Sequence, residues 1–232
     1  FRNFVTTALE AVTLLLLNSL CHMDLHSGNV LLDDKQNSHF IDWNLAIDAK
    51  HEPDLEGRLL HSYSLKLTQE SPDYLLINAK FRRIYETKTG IPSESRIVEE
   101  MLDQKPILKK IRSVLGVSRQ EQRNGIQAFI RGSRAYVQGD ISAWFKTHWH
   151  LNDSWAIASM IVGMIGRLSL WPHYTFPEEF AGPDSRGYTV LRKMCRTNPF
   201  DRYDAVRGLA ELYPDNPIIK TYAAAWLAPH PA

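Results

Sequence analysis

The sequence is poor in the features that announce a specialised chain. Only two cysteines, Cys21 and Cys195, occur in 232 residues, too few for a disulfide framework or a cysteine metal cluster, as expected in a reducing compartment. No apolar run is long enough to cross a bilayer. The longest, 11–21, follows Glu10, and the next, 157–165, is shorter still, whereas a spanning helix needs about 20 apolar residues. Charge of one sign is also missing: 27 Lys and Arg face 26 Asp and Glu for a net of +1, which gives no global pull towards nucleic acid or an anionic membrane. The 12 Gly and 12 Pro form no internal repeat and no low-complexity tract. No signal or transit-like segment opens the sequence, which starts at Phe1 directly in an amphipathic run, so these residues are expected to be a fragment of a longer chain. What remains, 44% hydrophobic and 23% charged, is the composition of an ordinary globular protein with material for one large or two small cores.

Phe4, Leu9, Val12, Leu16 and Leu20 recur at roughly helical spacing, and the apolar 14–17 run widens that face, so the first twenty residues predict a largely buried helix. Two short hydrophobic pieces, 29–32 and 39–41, flank the turn-rich Asp33-Asp34-Lys35-Gln36-Asn37 and predict a small β-hairpin. Beyond about Asp54 the pattern is mainly helical. Stripes run through Ile97, Met101, Leu108, Ile111 and Leu115, then Ile126, Phe129 and Ile130, with breaks at Pro92-Ser93-Glu94, Pro172 and 180–187. The expected fold class is mainly α with one small hairpin.

The stretch with chemical content is 21–46, CHMDLHSGNVLLDDKQNSHFIDWNLA. A buried helix delivers the chain into a polar loop carrying His22, Asp24, His26 and Asn29, and a second carboxylate, Asp42, follows the hairpin. Phosphoryl transfer from a metal-bound nucleotide needs one carboxylate to orient the hydroxyl nucleophile, and an amide oxygen with a second carboxylate to hold magnesium. His22-Met23-Asp24-Leu25-His26-Ser27-Gly28-Asn29 resembles the H-R-D-L-x-x-x-N catalytic loop of the protein-kinase-like superfamily, and Asp42-Trp43-Asn44 resembles its D-F-G metal motif. The 13-residue step from Asn29 to Asp42 is similar to that family's spacing.

The resemblance implies a fold and a set of roles. Asp24 would be the catalytic base, within a catalytic loop that also contains His22 and His26. His22 would be a scaffold residue bonded to the backbone near Asp42. Asn29 and Asp42 would bind the cofactors, ATP and Mg, as metal ligands. Three departures shape the expectation. Met23 stands where many protein kinases place an Arg that receives a phosphorylated activation loop, so that switch is not expected. His26 stands where eukaryotic Ser/Thr kinases have Lys, a D-L-H-x-G-N pattern commoner in small-molecule phosphotransferases and in some viral and bacterial kinases. Asn44 replaces Gly, and Asn tolerates a positive φ best among the other residues.

Downstream, Ser71-Pro72-Asp73-Tyr74 resembles the A-P-E motif. Asn152-Asp153-Ser154-Trp155 resembles the start of the family's large buried helix, whose Asp ties it to the catalytic loop. Asn198-Pro199-Phe200-Asp201-Arg202 resembles the loop whose Arg pairs with the A-P-E acid. With Asp in place of Glu, the Asp73–Arg202 pair is expected to be the weakest of these links. Residues 1–78 then read as the first part of a kinase C-terminal lobe, 79–150 as a helical insertion and 151–232 as the remaining helices. The insertion holds 14 Lys and Arg against 7 Asp and Glu, a basic segment in an acidic frame. It reads either as solvated helix faces or as a docking surface for an acidic substrate, nucleic acid or a capsid partner. His148 and His150 alternate without a nearby Cys, so zinc is not expected there.

Over about residues 1–214 this combination is similar to the Ser/Thr protein kinases of nucleocytoplasmic large DNA viruses. That resemblance implies a protein substrate, partners among virion or capsid proteins, and a location in the virion or host cytoplasm. The Gly-rich loop and strand Lys of that family's nucleotide-binding N-terminal lobe are not among these residues; a longer chain carrying them before Phe1 would favour the enzyme, and one carrying neither would favour an inactive module. A catalytically inactive kinase-like structural module, including a virion component, is the alternative, and a small-molecule phosphotransferase is the third.

Overall fold

The apolar stripe at the start of the chain forms helix α1 (Arg2–Leu17), with Phe4, Val5, Ala8, Leu9, Val12 and Leu16 on its buried face. In the computed structural model the described residues are 1–51, 64–85 and 93–228. The end of α1 is closed by Asn18, whose Nδ2 donates to the Leu14 carbonyl at 2.8 Å. Ser19 then takes a left-handed turn, φ 61°, into strand β1 (Leu20–Cys21). This strand pairs antiparallel with β4 (Ile47–Asp48), Cys21 opposite Ile47. Between them lies the expected hairpin, β2 (Val30–Leu32) against β3 (Ser38–Phe40), with Val30 opposite Phe40. Its turn is held by Asp33, whose Oδ1 accepts from the Lys35 and Asn37 backbone N–H groups at 2.9 and 2.8 Å. Side-chain bonds of this kind are why Asp and Asn populate turns.

The rest is helical: α2 (Pro72–Ile77), α3 (Ala79–Arg83), α4 (Glu94–Gln104), α5 (Pro106–Leu115), α6 (Arg119–Gly132), α7 (Arg134–Gln138), α8 (Ile141–His148), α9 (Asn152–Leu168), α10 (Arg186–Met194), α11 (Ala205–Leu212), α12 (Pro217–Tyr222) and α13 (Ala224–Leu227). Local chemistry sets several boundaries. Ser71, Ser118 and Asp140 cap α2, α6 and α8 by accepting backbone N–H bonds, each worth about 1 kcal/mol. Gly116, at φ 70°, ends α5 as a residue without Cβ can. The break predicted at Pro172 falls in the segment after α9; Pro92 lies outside the described residues.

The helical stripes read from sequence face one hydrophobic cluster: Ile97, Met101, Leu108, Ile111, Leu115, Ile126 and Phe129 are all buried in it. Residues of 1–78, 79–150 and 151–232 all contribute to that same cluster. Helix α9 runs through it, packed against α5, α1 and α10. Its Trp155 is fully buried, and each large apolar side chain so buried contributes about 1.5–3 kcal/mol. Cys21 and Cys195 are free and buried. No helix among the described residues is long and apolar enough to cross a membrane.

Candidate active site

Asp153, in the first turn of α9, organises the loop that follows β1. Its Oδ2 accepts from the His22 backbone N–H at 2.5 Å and its Oδ1 from that of Met23 at 2.9 Å. Burial pushes the Asp153 carboxyl above the usual carboxylate range, and the two backbone N–H bonds oppose this. The clamp holds Met23 at φ 69°, a left-handed conformation that costs a non-glycine residue about 1–2 kcal/mol. His22 is fully buried. Its Nε2 bonds the Ile41 carbonyl at 2.9 Å, and its ring lies 4.6 Å from that of Trp43. The start of the loop is thereby tied both to the large helix and to the residue before Asp42.

Asp24 sits between neutral donors. Gln69 Nε2 donates to its Oδ1 at 3.0 Å, and Asn29 Nδ2 donates to its backbone carbonyl at 3.0 Å and its Oδ2 at 3.3 Å. The side chain keeps about 29% of its surface open. Its direction is therefore fixed without a bonded cation to neutralise it. His26 Nδ1 accepts from the Gly28 N–H at 3.0 Å, so its Nε2 carries the proton towards Asp24 Oδ2, 3.7 Å away. A Cβ on Gly28 would come within 2.9 Å of the His26 ring, so a larger residue there would push the imidazole from this position. Asn29 spends its amide N–H groups on Asp24 and leaves its side-chain oxygen without a partner among the described residues.

The hairpin brings Asp42 to the same loop, because the Ile41 N–H donates to the Asn29 carbonyl at 3.0 Å. Asp42 is exposed and left-handed, φ 63° and ψ 69°. Asn44 itself has no positive φ. The bonds from Ile41 O to His22 and from Trp43 Nε1 to Phe40 O pin both neighbours and leave Asp42 to turn. Asn44 lies in a 3-10 turn and donates to Asp42 Oδ1 at 2.7 Å. The donor set left over is one amide oxygen and one carboxylate oxygen. Such hard oxygen donors fit magnesium, which keeps several waters and takes its other ligands from phosphate. No group of three or more His, Cys, Asp or Glu able to hold a metal ion occurs among the described residues.

A second buried carboxylate, Asp73, lies in the first turn of α2. Arg202 Nη2 donates to its Oδ1 at 2.7 Å and Trp144 Nε1 to its Oδ2 at 3.2 Å. Both members of the ion pair are buried. The Arg202 guanidinium stacks 5.0 Å from the Trp155 ring. Burial would raise the Asp73 carboxyl, yet Arg202 and His148 bring it below the ordinary value. The link expected to be weakest is a direct pair, because the Trp144 indole satisfies the second oxygen and the short side chain needs no further reach.

The segment carrying Gln69 is held from the α4–α5 junction and from α9: Lys105 Nζ donates to the Leu67 carbonyl at 2.7 Å, and Trp155 Nε1 to that of Thr68 at 3.1 Å. Burial pushes the Glu70 carboxyl beside them up to about 7, with Lys105 opposing, and pushes the Lys105 ammonium down to about 8. Gln69 was invisible in the sequence, since it lies 45 residues from Asp24 and no motif spans the gap. In the basic stretch, Arg119, Arg123 and Arg131 are paired with Glu99, Asp103 and Glu94, as solvated helix faces are. Comparison with protein-family models finds none that matches the chain, and comparison with curated proteins finds no match.

Proposed function

We propose that the protein is a Ser/Thr protein kinase, with these residues forming a protein-kinase-like C-terminal lobe and Asp24 as the catalytic base. One observation carries the reading: the Asp153 clamp on His22 and Met23 together with the His22–Ile41 bond, which set Asp24, Asn29 and Asp42 around one loop. In this reading Asp24 orients a substrate hydroxyl and accepts its proton, while Gln69 and Asn29 keep the carboxylate aimed. Asn29 and Asp42 hold the magnesium of Mg-ATP, which when bound supplies the transferable phosphoryl group and neutralises its charge. The exposed apolar side chains Leu31 and Leu32 of the hairpin and Ile41 and Trp43 beside Asp42 offer the surface against which nucleotide and a second lobe would lie.

A kinase-derived structural module is the second reading. It is favoured by the bond from Asn44 to Asp42 Oδ1, which occupies one of the oxygens a metal would use. The test is phosphoryl transfer from Mg-ATP to protein by the complete gene product. Loss of transfer in Asp24→Ala and Asp42→Ala is expected, and equal activity in both variants would overturn the kinase reading. Calorimetry showing no Mg-dependent nucleotide binding by the wild type would favour the module.

A further inference from the structure

A cavity of about 220 Å³ opens beside the catalytic loop, between α5 and α9, with His26 and Ser27 on one side. It is smaller than the roughly 300–1,000 Å³ of sites for drug-sized ligands, a size suited to a single side chain. His26 joins it to the reacting end of the loop, because the same imidazole lies 3.7 Å from Asp24 Oδ2.

The cavity's chemistry is one-sided. Lys110 of α5 and Arg167 of α9 line it, and no lining residue is a carboxylate. Three other arginines of the basic stretch are paired with acids, whereas neither Lys110 nor Arg167 makes an ion pair among the described residues. Ser159, 2% exposed, also lines the cavity, and its hydroxyl has no hydrogen-bond partner. A buried donor left unmade costs about 1–3 kcal/mol, a cost an acceptor in the cavity would offset. Met160 and Met164 add an apolar wall for the methylene stem of such a group. Gly163 forms part of the lining, and a Cβ there would meet nothing within 4 Å, so the space is open to an incoming side chain.

We infer that this cavity receives an acidic side chain, Glu or Asp, of the protein substrate close to its phosphoacceptor hydroxyl. The inference rests on the kinase reading for its purpose but not for its binding chemistry. Lys110 and Arg167 supply the charge, Ser159 a hydrogen bond, and the two methionines the contact with the stem. Acidic substrates are thereby selected over neutral or basic ones, through a site outside the Asp24, Asn29 and Asp42 set.

Fluorescence anisotropy on the complete gene product tests the site without catalysis. The probes are labelled Ser-containing peptides whose flanking residues are Glu, Gln or Lys. The Glu peptide is expected to bind at least about tenfold tighter than the Gln peptide, in a salt-sensitive way. A Lys110→Glu/Arg167→Glu double variant should lose that margin and favour the Lys peptide. Gly163→Leu fills the cavity with a good helix former, and it should lose Glu-peptide binding while keeping its thermal melting temperature. Equal binding of the Glu and Gln peptides by the wild type, or unchanged preference in both variants, overturns the inference. Phosphoryl transfer to the same peptides is measured separately. Binding preference without any transfer would retain the acidic site and sink the kinase reading, whereas transfer without preference would do the reverse.

Discussion

Asp73 and Asp153 are almost wholly buried, and each of their oxygens accepts a hydrogen bond from the protein. Asp24 and Asp42, from the same chain, stay open to solvent; Asp24 accepts hydrogen bonds from two amides with the His26 imidazole 3.7 Å away, and Asp42 accepts one, from Asn44. The difference follows from the price of desolvation. A carboxylate taken out of water must have its lone pairs satisfied by the fold, and is then unavailable to anything else. One that is oriented but hydrated keeps charge and acceptor capacity for a ligand. The buried pair therefore builds the fold, Asp153 holding the loop and Asp73 holding Arg202 and Trp144, and the open pair is what the loop presents.

The sharpest way to break this division is to remove charge from each side in turn. On the proposed kinase reading, Asp24→Asn should lower phosphoryl transfer about 10²–10⁴-fold while thermal melting stays within about 2 °C; a large drop in melting temperature would show Asp24 to be structural as well. Asp73→Asn should destabilise by about 3–5 kcal/mol in urea titrations, because Arg202 is left buried beside a neutral partner. A cost below about 1 kcal/mol, the range of an exposed pair, would contradict its burial. Asp153→Ala orphans the His22 and Met23 N–H groups and should cost about 2–3 kcal/mol, with transfer falling as the loop loosens. Stability that drops without any change in transfer would separate the clamp from the site.

The smallest expected effect concerns pH. Burial raises the Glu70 carboxyl from an ordinary 4.5 to about 7, so the unfolded chain loses this proton first. Between about pH 4.5 and 7 the folded state holds more protons, and stability should fall as pH rises, by on the order of 1–2 kcal/mol. Lys105, lowered from 10.5 to about 8, acts in the opposite sense above pH 8, where stability is regained as the folded state gives up its proton before the unfolded one. Denaturant titrations of Glu70→Gln across pH 4–8 should show the lower slope removed; an unchanged slope would assign it to other groups.

Much of the fold was legible because its signals are local. The stripe from Phe4 to Leu16 placed α1, the Asp33–Asn37 cluster placed the hairpin turn, and the apolar spacing from Ile97 to Ile130 placed core-facing helices. The two-residue strands β1 and β4 were not legible, since a period of two cannot be read from two residues. Candidate residues Asp24, Asn29 and Asp42 stood out by type and spacing within one short stretch. Gln69, the support of Asp24 by a residue far along the chain, did not, and neither did the cavity between α5 and α9.

By itself, the sequence determined the mainly helical class, the hairpin, the absence of an apolar run long enough to span a bilayer, and which polar residues share one loop. These depend on neighbours within a few positions, where periodicity and turn chemistry act. Only the tertiary structure decided that Asp153 would clamp His22 and Met23, that Asp73 would meet Arg202 and Trp144, that the left-handed turn would fall at Asp42 rather than Asn44, and that Lys110 and Arg167 would face one cavity without a counter-charge. Each of those outcomes joins residues brought together by burial, and burial depends on how every helix packs against α9 and the shared core.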